Sequence, residues 1–133
     1  MSLIVHTALI FVISMLQFII DIYNKKCPIT GKLFSLLLIH HVINTFLTFG
    51  WIFDNKNILK FYVIFWIIVY IQYGIYGRCL LTEYENKMCI NKPTKYFQDI
   101  LYWLGLKESN LGLNFIHVYR VLSLLIAIYK LKK

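Results

Sequence analysis

Charge is scarce in this sequence and acidic charge scarcest: only 15% of 133 residues are charged, and six are Asp or Glu. Soluble domains carry about 25% charged and about 45–50% apolar residues. Here 59% are hydrophobic and the mean hydropathy is +0.65. A water-soluble fold this small has too much surface for its volume to bury that apolar area. The same figures exclude intrinsic disorder. Three cysteines cannot pair fully, which excludes a disulfide-framed secreted domain. No phosphate loop, H-E-x-x-H, acidic metal cluster, C-x-x-C or nucleophile–base pair is legible, so an enzyme is not the leading expectation. Alanine (2), proline (2) and glycine (6) are also few, against 21 Ile, 10 Tyr, 10 Phe and 8 Asn. Those abundant residues mostly have AT-rich codons, as in some large DNA viruses, parasites and AT-rich bacteria; the bias bears on origin, not chemistry.

What is present is a set of long apolar runs. A membrane-spanning helix needs roughly 17–25 predominantly apolar residues, and four stretches qualify: 3–23, 33–53, 58–76 and 111–129. The expected fold class is therefore an all-α integral membrane protein, one domain over 1–133, built as a four-transmembrane-helix bundle. The breaks are polar: 24–32 holds three lysines and Pro28, which cannot donate to a helix ladder. Asp54-Asn55-Lys56-Asn57 is a tight turn that makes spans two and three an antiparallel hairpin. Tyr23, Trp51, Tyr62, Tyr76 and Tyr129 lie near span ends, where amphipathic rings prefer the interface. The first span is expected to be retained, since it has no basic n-region and no A-x-A cleavage site.

Segment 77–110 is too polar to be a fifth span. Thr82-Glu83-Tyr84-Glu85 fits a capping box that starts a short helix after Cys79. In 94–106, Phe97, Ile100, Leu101 and Leu104 follow i, i+3, i+4, i+7 spacing. That pattern suits a short amphipathic helix in the interface plane, or equally a lid packed across the bundle.

Four spans put 24–32 and 77–110 on one membrane face, termed side B. It carries Lys25, Lys26, Lys32, Arg78, Lys87, Lys92, Lys95 and Lys107, against Lys56, Lys60, Lys130, Lys132 and Lys133 on side A. By the positive-inside rule side B is cytoplasmic, although the C-terminal lysines argue the other way. The net charge of +8 is scattered around membrane anchors and suits anionic lipid head groups rather than nucleic acid. A homo-oligomer or another membrane protein are further possible partners.

Ionisable groups in a span are costly and usually face the bundle interior. Here they collect in the side-B leaflet: Gln17 and Asp21 on span one, His41 on span two, Gln72 on span three, His117 on span four. Faces agree as well. Ser14, Gln17 and Asp21 form one stripe; His41, Asn44 and Thr48 a second, with His40 turned about 100° away; Asn114, His117 and Arg120 a third. Arg120 could snorkel toward side B and pair with Asp21. The candidate ligand-binding set is thus Gln17, Asp21, His41, Asn44, Gln72, Asn114, His117 and Arg120. His41 and His117, facing each other, could hold a metal or axially ligate a haem. The competing reading is interhelical hydrogen bonding, at roughly 0.6 kcal/mol per bond. A pore is disfavoured because the side-A half is apolar.

Cys27, Cys79 and Cys89 all fall on side B and are expected to be free thiols if it is cytoplasmic. A disulfide Cys27–Cys79 or Cys79–Cys89 is expected if it is not. Cys27-Pro28-Ile29-Thr30 and Cys79-Leu80-Leu81-Thr82 share C-x-[IL]-T after outgoing spans, as a duplicated hairpin would. The second string continues to Glu85 and Asn86. With Cys79, Thr82, Glu85 and Asn86 it resembles an uncharacterised bacterial family of small polytopic membrane proteins whose motif is C-P-L-T-x-x-E-N directly after a span. That family also has an upstream histidine and glycine, similar to His41 and Gly50. The likeness covers roughly residues 40–130 and departs at Leu80, where the family has Pro. It implies a membrane bundle and no known activity.

The expected function is a small polytopic membrane protein whose polar layer binds a small ligand or cofactor. The alternative is a structural scaffold in a cellular membrane or in the inner membrane of a large DNA virus.

Overall fold

A computed structural model describes residues 2–25, 27–89 and 97–133. Its long helices are α1 (Leu3–Asn24), α2 (Gly31–Phe49, prolonged by a 3-10 turn Gly50–Ile52), α3 (Lys56–Tyr76) and α6 (Asn110–Lys132). All four are long and apolar enough to cross a membrane. Two short helices, α4 (Leu80–Met88) and α5 (Ile100–Trp103), lie between α3 and α6. The chain is an all-α, four-helix membrane bundle.

Each long helix starts where a polar side chain satisfies amides that the helix itself leaves free. Ser2, Thr30, Asn55 and Ser109 accept from the backbone of Val5, Leu33, Ile58 and Gly112 in turn. Gly77, at φ 68°, ends α3 in the left-handed region that glycine enters without a Cβ penalty. α1 packs chiefly on α2 and α3 on α6, with α2 touching every other long helix. On α1 the buried face runs His6, Ile10, Ser14, Gln17 and Asp21, while Ile4, Phe11 and Ile19 point outward. Outward Ile64, Ile68, Leu122 and Leu125 do the same on α3 and α6. Such an exposed apolar belt is tolerable in lipid and would aggregate in water.

The side-A half is a dry core of Ile10, Leu47, Phe53, Leu59, Tyr62, Trp66 and Ala127. Its aromatic polar tips are satisfied by backbone: Tyr62 donates to the Leu47 carbonyl (3.0 Å) and Tyr119 to that of Thr48 (2.9 Å). Two glycines permit close approaches, Gly50 in the side-A half and Gly112 at the side-B start of α6. A Cβ on Gly50 would lie 2.4 Å from Tyr62 Cδ2, and one on Gly112 only 2.0 Å from the Leu106 carbonyl oxygen. At side B a second core of Phe18, Leu33 and Leu37 is closed by a disulfide, Cys27–Cys89.

Four expectations are corrected. The disulfide joins Cys27 to Cys89, a pairing the sequence did not single out, and leaves Cys79 free. The capping box does not form: α4 begins at Leu80 with Cys79 as its N-cap, Thr82 is buried inside it, and the Glu85 carboxylate binds His40 instead. Among its described residues the amphipathic segment is helical only over Ile100–Trp103. Its apolar positions also divide, with Phe97 buried under the bundle and Leu104 67% exposed; residues 94–96 lie outside the described residues. Finally, Asp21 pairs with His41 and Lys25, not with Arg120, which bonds Asn44.

Candidate functional site

The polar residues of the side-B leaflet separate into two groups. The first joins α1 to α2. His41 Nε2 donates to Asp21 Oδ2 (2.8 Å), both fully buried, and Lys25 Nζ lies 3.5 Å from the other carboxylate oxygen. Gln17 donates to Thr45 Oγ1 (3.1 Å) and accepts from the Ile100 amide (3.1 Å). These are interhelical polar contacts of the kind that hold membrane helices together, although Asp21 Oδ1 and His41 Nδ1 make no hydrogen bond of their own. Neither Asp21 nor His41 borders the cavity described next.

The second group surrounds a cavity of about 400 Å³ between α2, α3 and α6. Phe65, Val69, Leu113 and Ile116 give it apolar walls; Asn44, Gln72, His117 and Arg120 supply polar ones. His117 sits between the edges of Tyr70 and Tyr73. Gln72 donates to the Arg78 carbonyl (2.8 Å). Asn114 is exposed on α6 and does not reach the cavity. The structure therefore brings Asn44, Gln72, His117 and Arg120 together and holds Gln17, Asp21 and His41 apart from them. His41 and His117 do not converge on one site, and among the described residues no group of three His, Cys, Asp or Glu could hold a metal ion.

The segment from Phe97 to Lys107 roofs the site. Phe97 stacks on His40, ring centroids 3.6 Å apart, and meets His41 at 4.5 Å. Lys107 Nζ donates to the Phe97 carbonyl (2.7 Å) and lies 3.0 Å from Asp99 Oδ1. Asp99 also accepts from Asn44 Nδ2 (2.7 Å) and the Tyr102 amide (3.0 Å). Burial alone would push the Asp99 carboxyl up. The Lys107 ammonium, with the two amide donors, outweighs it and holds Asp99 below the usual carboxylate range. Asn44 in turn accepts from Arg120 (3.4 Å), so a chain of bonds runs from Lys107 to Arg120.

At the cavity's side-B end stand three residues in line whose contacts the sequence did not single out. His40 Nδ1 donates to Glu85 Oε1 (2.6 Å), and His40 Nε2 faces Cys79 Sγ at 3.6 Å. Burial of the Cys79 thiol raises it, but contact with the His40 ring and the Leu81 and Thr82 amides at the start of α4 prevail. The thiol is held down at about 7. The signal was partly present: Cys79, Thr82 and Glu85 repeat every three residues, which places them along one side of α4, facing α2. His40 was missed because the stripe was drawn through His41, although at i, i+4 His40 shares the Asn44 side of α2 just as well.

No protein-family profile, curated protein or solved structure matches the chain.

Proposed function

We propose that the cavity binds an amphipathic anion, an alkyl chain with a carboxylate or phosphate head, drawn from the side-B leaflet. One observation carries this reading. Arg120 lines the cavity from within a spanning helix, its Nε has no hydrogen-bond partner, and no carboxylate among the described residues lies within ion-pair distance. An intramembrane guanidinium is costly unless paired, and an acidic head group between apolar walls supplies the partner. Bilayer lipid, expected from the basic charge, enters here as the source.

The Cys27–Cys89 disulfide supports an oxidising compartment on side B, against the count of basic residues. A membrane-impermeant maleimide applied to sealed vesicles of known orientation reads the sidedness.

The binding test uses protein in nanodiscs, with Trp66, stacked on the cavity-lining Tyr70, as fluorescent reporter. Dodecyl phosphate and dodecanoate are titrated as separate arms against uncharged dodecanol. The anions are expected to bind more tightly, and Arg120→Met to weaken them roughly 10–100-fold, the range of a charge-assisted bond. Equal binding of dodecanol, or no effect of Arg120→Met, favours a structural scaffold instead.

A further inference from the structure

We infer that Cys79 is a nucleophile that His40 activates and Glu85 positions, and that the site transfers an acyl group from an ester or thioester of a phosphate-bearing amphiphile. This rests on the ligand reading above and adds chemistry to it.

Three independent features point to Cys79. First, it is the one described cysteine outside the disulfide, and it borders the cavity. Second, the groups behind it stand in the order that nucleophilic catalysis needs: thiol, imidazole, carboxylate. Glu85 accepts the hydrogen bond from Nδ1–H and so leaves Nε2 aimed at sulfur, while Phe97 stacked on the ring prevents it from turning. Third, the cavity wall beside Cys79 carries a polar group with no protein partner. Thr82 is only 4% exposed, its Oγ1 makes no hydrogen bond, and it lines the same space. A buried hydroxyl left in that state is costly unless a ligand oxygen meets it. Thr82 can donate to the carbonyl oxygen as negative charge develops on it.

Disulfide exchange is the rival use of such a thiol, and the fold opposes it. Cys79 and Cys89 cap the two ends of α4. Ten residues at 1.5 Å rise separate them by about 15 Å, far beyond the roughly 6 Å between Cα atoms of bonded cysteines.

The reaction balances without an oxidant or a metal. Cys79 sulfur attacks the acyl carbonyl carbon as its proton passes to His40 Nε2. The tetrahedral adduct collapses, the C–O or C–S bond of the donor breaks, and the leaving alcohol or thiol takes that proton. An S-acyl Cys79 remains. Water or an acceptor hydroxyl then attacks the thioester and gives its proton to His40; the C–S bond breaks, the free acid or new ester leaves, and His40 returns the proton to Cys79 sulfur. Arg120 holds the phosphate end while the acyl chain lies along Val69 and Ile116.

The test offers palmitoyl-CoA, an acyl thioester carrying phosphates, to the full chain in nanodiscs and follows intact mass. One palmitoyl group is expected on Cys79, removed by neutral hydroxylamine. Cys79→Ser loses the hydroxylamine-labile adduct. His40→Gln slows acylation by about 10²-fold or more, the usual contribution of a positioned base. Glu85→Gln slows it less and displaces its pH profile, which a purely structural carboxylate would not do. A retained Cys27–Cys89 disulfide on a non-reducing gel reports that each variant has folded.

Should the His40 and Glu85 variants fail to fold, the unaltered protein still decides. Alkylation of Cys79 by iodoacetamide, with the disulfide intact, follows thiolate content. Charged or titratable groups around the thiol are His40 on α2, Glu85 on α4, Lys107 in the roof, and Arg78, His117 and Arg120 along the cavity. A midpoint near pH 7 is expected; one near the ordinary value of about 8.5 overturns the activation. Acylation as fast in His40→Gln as in the parent also overturns it. If dodecyl phosphate binds but no S-acyl species forms, this inference fails and the ligand reading stands. If dodecyl phosphate does not bind, the ligand reading itself fails.

Discussion

Replacing Lys107 by methionine keeps a long flexible side chain and removes the one cation that, among the described residues, lies within ion-pair distance of Asp99. Asp99 is wholly buried, and among the described residues it would keep the Asn44 side chain and the Tyr102 amide as donors. Breaking a buried pair from one side costs about 3–5 kcal/mol, because an uncompensated charge stays behind. The Phe97 carbonyl, which accepts from Lys107 at 2.7 Å, loses its partner as well. The roof is a local element, so the cost falls on its opening rather than on the four-helix core. Hydrogen exchange by mass spectrometry over 97–107 should therefore accelerate by about two orders of magnitude or more, at 1.4 kcal/mol per tenfold. Amides of α1 and α3 should change little. Asp99→Asn with Lys107→Met removes both charges and should restore most of the protection. Acid supplies a second check. Asp99 titrates lower when folded than the roughly 3.9 of an unfolded aspartate. Its contribution is then complete above about pH 4 and disappears as the pH falls through the folded value. In Lys107→Met that loss begins at higher pH. Exchange within threefold of the parent, or a double variant no better than the single, would refute the reasoning.

Other perturbations reach different parts of the fold. Reducing Cys27–Cys89 opens a closed loop with a sequence separation of 62 residues. The chain-entropy value is about 4 kcal/mol, so an SDS-titration midpoint should drop and gel mobility should change with reductant. Gly112→Ala drives a Cβ against the Leu106 carbonyl at 2.0 Å and should cost about 1–3 kcal/mol or more in the same titration. His41→Leu leaves the buried Asp21 with the longer 3.5 Å Lys25 contact and should cost about 3 kcal/mol, whereas Arg120→Met removes one 3.4 Å bond to Asn44 and should cost less, about 1 kcal/mol. Equal losses in those two variants would return Asp21 and Arg120 to a shared pair.

The spans were legible because apolar run length is a property of single segments. Expected 58–76 and observed Lys56–Tyr76 differ by two residues, where Asn55 rather than the apolar boundary sets the start. The layer of polar residues was legible as a depth, since rise per residue fixes it. Partners within the layer were not. Asp21 and Arg120 lie on helices that depth alone could pair, but α1 packs on α2 and α6 on α3, so His41 is the group Asp21 meets. The Cys79–His40–Glu85 line was hidden for a related reason. It draws on α2 and α4, and spacing on α2 alone does not say which of two adjacent histidines faces α4, since both lie within one turn of Asn44. Asp99 and Lys107 read as ordinary loop charges, and only the folding of 97–107 over α2 buries them together.

The central claim is that an acidic amphiphile occupies the space between α2, α3 and α6. A bilayer doped with a diazirine-bearing alkyl phosphate tests it most directly, with cross-linked residues mapped by mass spectrometry after brief irradiation. Cross-links are expected on Val69, Leu113 and Ile116 in the cavity wall, competed by dodecyl phosphate and lost in Arg120→Met. Cross-links confined to the outward residues Ile64, Ile68 and Leu122, unchanged by competitor, would show an empty cavity and contradict the claim.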